Sequence, residues 1–194
     1  MGYPRGIPLQ HLKIASGLPK AARENRMPSR YYRTETTENA VDALAQSTRF
    51  YKSHLKHKWK WFVICLHDAL YSFCICAIWG TNPDRVMRGQ NLVSAREALI
   101  RCQSDTYMQQ YVHSTTLEMT EHEKEMVGEF LVWVRDNLTH FSPKLWSIEI
   151  AWVKRVVKPA AHVIRFLALE SGNVRMTAAQ RNRVIRALAA LEGK

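Results

Sequence analysis

The chain has 194 residues, 46% hydrophobic and 23% charged, a balance that excludes a disordered or fibrous chain and suits one globular domain. Its net charge of +11 is uneven: residues 1–36 carry seven Lys/Arg against two acids, residues 37–153 twelve against thirteen, and residues 154–194 nine against two. Basic ends on a near-neutral body point to an anionic partner, nucleic acid first and an acidic protein or membrane surface next, with solubility alone as the plain alternative.

Residues 1–36 hold four prolines and no sustained apolar period, which predicts a basic, poorly ordered arm in which Met27 is an alternative start. From Glu38 the pattern turns helical. Ala40, Leu44, Ser47, Tyr51 and Leu55 recur at three- and four-residue spacing and predict a first helix over 38–54. Residues 57–80 are nearly continuous apolar sequence ending in Gly80, a good helix stop. That run is long enough for a bilayer. A central Asp, however, costs about 3 kcal/mol on insertion scales. His67 and Asp68 near the middle therefore favour a buried bundle helix and no membrane association.

Residues 81–91 read as a loop, and 93–112 as a helix with a break near Ser104. Thr120 and Glu123 fit a capping box opening the next helix, which passes through Phe130 and Trp133 and fades near Leu138. Ser142 suits an N-cap and Pro143 the first helical position after it. The apolar stripe of that helix is Leu145, Ile148, Trp152, Val156, Val163 and Leu167, with a kink expected at Pro159. A last amphipathic helix is expected over 177–192. Strands find little support, so the fold class is all-α, a helical bundle. Four cysteines, with neither framework nor zinc spacing, predict no metal site and a reducing, cytoplasmic setting.

The junction RDNLTH, residues 135–140, carries chemistry. RNA cleavage without a metal needs a base for the ribose 2′-OH, an acid for the leaving 5′-oxygen and fixed positive charge for the phosphorane. His titrates in the right range, and the Arg fork matches two phosphate oxygens. On a regular helix, positions five apart differ by about 140°, so Arg135 and His140 meet only where the helix loosens. The pre-proline position before Pro143 favours such loosening. The same spacing occurs at Arg5/His11, Arg49/His54 and Arg155/His162. Arg135/His140 alone combines an inter-helical junction with neighbouring polar residues, Asp136 and Asn137.

RDNLTHF, placed before the last core helix of a small all-α domain, resembles the HEPN superfamily, whose motif is Arg-x4–6-His. The likeness covers roughly residues 38–170 and includes an acidic position in the second helix, where Asp68 stands in LHDALYSF. It implies a HEPN-like domain over 37–172, with the arm 1–36 before it and an added C-terminal helix over 173–194 packed on it. It also implies a metal-independent, cofactor-free endoribonuclease of a toxin–antitoxin or defence system. The partners implied are RNA, a second copy of the chain, and an antitoxin or nucleotidyltransferase-like protein. Arg135 and His140 of both subunits would then surround one phosphate. Family members that have lost catalysis supply the alternative, a nucleic-acid-binding or dimerisation module.

In support, Asp136 either orients the catalytic pair or pairs with a surface cation, and Asn137 either contacts phosphate or ties off a helix end. The resemblance suggests Arg135 as partner for Asp68; a different cation or a tyrosine is the alternative. His67 reads as a satisfied core histidine. Lys56, Lys58 and Lys60 in KHKWKW either grip RNA with the interleaved indoles or snorkel while the indoles enter the core, the reading favoured from sequence. Arg181, Arg183 and Arg186 form an RNA- or antitoxin-binding face or a solvated one.

Overall fold

The structure is a computed structural model that describes residues 32, 34–80, 82–139 and 145–193. Most of the basic arm, the Ser142 cap with Pro143, and His140 lie outside the described residues. Within the unit Thr34–Lys194, seven helices are seen among the described residues. They are α1 (Thr36–Lys52), α2 (Lys58–Trp79), α3 (Ala95–Cys102), α4 (Asp105–Met108), α5 (Glu121–Val134), α6 (Ile150–Arg165) and α7 (Ala178–Leu191).

Helix α2 is the axis of the fold. It packs most heavily on α1, reached by a short connection that makes the two an antiparallel pair, and it also touches α3, α5 and α6. Phe62, Leu66, Leu70, Phe73 and Ile78 of α2 are fully buried, facing Leu44 of α1, Phe130 of α5 and Ile164 of α6. Each such side chain contributes about 1.5–3 kcal/mol of burial. By length and composition α2 could cross a membrane, but eleven of its residues are buried among its neighbours here.

Local chemistry fixes the ends of these helices. Gly80 terminates α2 at φ +54°, where a Cβ would fall 1.5 Å from Gln110 Oε1. The Gln110 amide occupies that space because its Nε2 donates to the carbonyls of Ala77, Ile78 and Tyr107 at 2.8, 3.1 and 2.9 Å. Buried Asn173 donates to the Met108 carbonyl at 2.8 Å and accepts from Ser114 Oγ at 2.6 Å, tying α4 to the segment before α7. Capping boxes open α5 at Thr120 and α7 at Thr177. Helix α7 docks on α1 through Gln180, which donates to Glu38 Oε2 at 2.9 Å, and through Arg183, which pairs with Glu38.

Two expectations are corrected. The loop 81–91 contains a 3-10 turn (Pro83–Val86), and an antiparallel hairpin follows it, with β1 (Met87–Arg88) pairing with β2 (Asn91–Leu92). Arg101 pins it by donating to the Arg85 and Met87 carbonyls at 2.7 and 3.2 Å, long-range bonds that no local pattern reveals. The helix expected to restart at Ser142-Pro143 begins only at Ile150, after extended Glu149. Leu145 is fully exposed, and Trp146 packs edge-on against Trp133 with centroids 6.2 Å apart, so aromatic docking rather than a helical turn holds this stretch. Helix α6 then runs through Pro159 to Arg165.

Candidate functional site

Helix α5 ends in a π-helical turn, Arg135–Thr139. In a regular helix the Trp133 carbonyl would accept from the backbone N–H of Asn137; here the Asn137 side chain takes part, its Nδ2 donating to that oxygen at 2.8 Å. The loosening expected between Arg135 and His140 thus begins at Arg135 itself. The Arg135 backbone N–H still bonds back to the carbonyls of Leu131 and Val132.

Arg135 borders an open cavity of about 1070 Å³ between α1, α2 and the hairpin. Asp42 and Gln46 of α1 and Cys65, His67, Asp68 and Tyr71 of α2 line it, and Val93 and Ser94 close one side. Tyr71 holds that side in place by donating to the Val93 carbonyl at 2.7 Å. The structure therefore brings Arg135 and Asp68 to one cavity. The expected ion pair between them is absent: Arg135 Nε lies 3.2 Å from Asp136 Oδ1, and Asp68 joins no ion pair among the described residues. Its carboxylate reaches solvent on the open face of α2, while Asp136 is the next residue along the chain from Arg135. The protein around Asp68 still raises its pKa above the ordinary carboxylate value by desolvation.

His67 is buried but not satisfied. Burial first, and the Arg135 charge as a smaller cause, push its pKa down to about 4 against a backbone hydrogen bond with Leu131, so the ring is neutral at pH 7. Its Nε2 has no hydrogen-bond partner among the described residues. Cys65 is no nucleophile at neutral pH, since burial and then the carboxylates of Asp68 and Asp42 push its thiol up to about 11. Among the described residues no group of three or more His, Cys, Asp or Glu side chains is placed to hold a metal.

Asp136 and Asn137 turn toward a different groove. It measures about 700 Å³ and includes Trp133, Trp152, Glu125 and Glu129. Of the arginines on α7, Arg183 is engaged by Glu38 and, at 3.5 Å, by Asp42, which removes it from any free basic face; Arg181 and Arg186 are exposed. In KHKWKW the sequence reading holds for one indole. Trp59 packs edge-on against Tyr51 and Phe62, whereas Trp61 is 45% exposed, and Lys56, five residues before it, is exposed as well. Asp42 is the cavity residue that sequence reasoning missed. Its spacing from Asn39 and Gln46 on α1 was the available signal, but nothing local says which face of α1 borders a cavity.

No family model, curated protein or solved structure matches this chain.

Proposed function

We propose that the chain is a HEPN-type, metal-independent endoribonuclease acting as a homodimer, with Arg135 and His140 of two subunits around one phosphate. The observation that carries this reading is the π-turn closing α5. It presents Arg135 at the mouth of an open cavity beside Asp68 and runs straight into His140 in the chain.

In this mechanism one His140 imidazole takes the proton of the ribose 2′-OH, and the 2′-oxygen attacks phosphorus. The bond to the 5′-oxygen breaks, and His140 of the second subunit, in its acid form, protonates the leaving oxygen. The products are a 2′,3′-cyclic phosphate and a 5′-hydroxyl. Arg135 meets the extra negative charge on the equatorial oxygens with its planar fork. Asp136, 3.2 Å from Arg135 Nε, restricts the guanidinium, and Asp68 faces the same cavity as an acceptor for substrate donors. Neutral His67 beneath them leaves the Arg135 charge unopposed by a second cation. A toxin or defence role in the cytoplasm, restrained by an antitoxin-like partner, belongs to the same reading.

The test is incubation of the purified chain with RNA in excess chelator, beside Arg135→Ala and His140→Ala. Cleavage by the wild type alone supports the enzyme. Salt-sensitive binding without cleavage by any of the three supports the non-catalytic binding module instead.

A further inference from the structure

We infer that the groove between α1 and α2 continues past the cavity to a stacking platform at Phe50 and Trp61, and that this surface holds single-stranded RNA leading into the site. The inference takes its ligand from the ribonuclease reading and adds where the strand lies.

Helical register joins the platform to the cavity. Lys58, Trp61, Cys65, Asp68 and Ser72 follow three- and four-residue spacing on α2 and share one stripe, and the last three line the cavity. Asn39, Asp42, Gln46 and Phe50 do the same on α1, and the first three line it. Trp61 thus stands about 10 Å along the stripe from Asp68, at about 1.5 Å per residue. At about 3.4 Å per stacked nucleotide, that distance accommodates about three.

The platform is built for a base and a backbone together. Trp61 remains 45% exposed although Phe50 backs it, ring centroids 6.3 Å apart and planes 27° apart. The Lys60 ammonium lies 5.2 Å from the Trp61 centroid, and those of Lys58 and Lys154 lie 5.1 and 6.0 Å from that of Trp59. Between Asp42 and Asp68 the sequence has no acidic residue, whereas Arg49, Lys52, Lys56, Lys58 and Lys60 all fall there. The first turn of α2 has neither an acid nor a side-chain cap, so its lysines add to the positive end of the helix dipole. That arrangement disfavours the helix and favours a phosphodiester chain. An RNA fits better than an anionic lipid surface, because the stripe runs on into a cavity lined by Asp68 and Asp42, whose acceptors suit ribose and base donors.

The test is fluorescence anisotropy of the full chain with a labelled 12-nucleotide 2′-O-methyl uridine strand, which lacks the attacking hydroxyl and survives the measurement. Trp61→Ala is expected to weaken binding about 5- to 100-fold, the span of base–aromatic stacking, and Trp61→Phe to restore most of it. Lys58→Gln/Lys60→Gln is expected to reduce the slope of log affinity against log salt by about 0.7 for each phosphate that the variant no longer neutralises. Unchanged affinity in both Trp61→Ala and the lysine pair overturns the inference. So does binding to phosphatidylserine vesicles that these variants abolish while RNA binding persists. Cleavage of ordinary RNA is scored separately. Weakened binding in the variants with no cleavage by wild type refutes the ribonuclease reading and keeps the platform; wild-type cleavage with unchanged binding in the variants does the reverse.

Discussion

His67→Asn probes the environment beneath Arg135. The folded-state pKa of about 4 lies below the ordinary 6.5, so the unfolded chain binds this proton more readily than the folded one. Stability therefore rises with pH through this interval: the His67 contribution is intact above about pH 7.5 and is lost as pH falls through 6.5 toward 4. The gap between the two values corresponds to about 3 kcal/mol when fully developed, of which about 2 kcal/mol appears by pH 5. Asn does not titrate. Urea unfolding of both proteins at pH 7.5, 6.5, 5.5 and 5.0 should show the wild type losing about 2 kcal/mol relative to the variant across that range. The Asn variant is less stable at pH 7.5 because it leaves space in the core, so the trend with pH rather than the offset is decisive. Parallel stability profiles would refute the claim that His67 is buried in its neutral form.

The same histidine reports on Arg135: Arg135→Gln removes a charge that lowers the His67 pKa, so an NMR titration should find it higher in the variant. Gly80→Ala places a Cβ on Gln110 at a positive φ and disrupts its bonds to the end of α2, so its unfolding midpoint should fall well below that of Gly128→Ala on α5, a helical control at which an added Cβ meets nothing within 4 Å. Asn173→Ala removes the donor that the Met108 carbonyl has beside the Gln110 N–H, together with the acceptor of Ser114 Oγ, and should cost about 1–3 kcal/mol in chemical denaturation. Thr120→Ala should cost about 1 kcal/mol through loss of the α5 capping box.

Helices with strong local signals were legible in the sequence. Gly80 marked the end of α2, Thr120 and Glu123 marked the start of α5, and the break near Ser104 appears as the α3–α4 boundary. The hairpin was hidden because its strands are two residues each and depend on Tyr71 and Arg101, distant in sequence. The late start of α6 was hidden for a related reason: Ser-Pro advertises a helix, but Trp146 is drawn onto Trp133 instead. In the site, the loosened end of α5 was foreseen from the residues before Pro143, and the structure places it as a π-turn beginning at Arg135. Asp136 beside Arg135 agrees with one of the two roles expected for it, whereas the separation of Asp68 from Arg135 was not foreseen. Helical spacing says that Asp68 lies on α2, but not that its face opens to the cavity while Asp136 takes the guanidinium.

The central claim is tested most directly by the chemical identity of the cut ends. Mass spectrometry of a short RNA of known sequence, treated with the wild-type chain in chelator, should find fragments ending in a 2′,3′-cyclic phosphate paired with fragments beginning in a 5′-hydroxyl, and neither after treatment with His140→Ala. Intact RNA under every condition, or 3′-hydroxyl and 5′-phosphate ends that appear only with added divalent cation, would contradict the account.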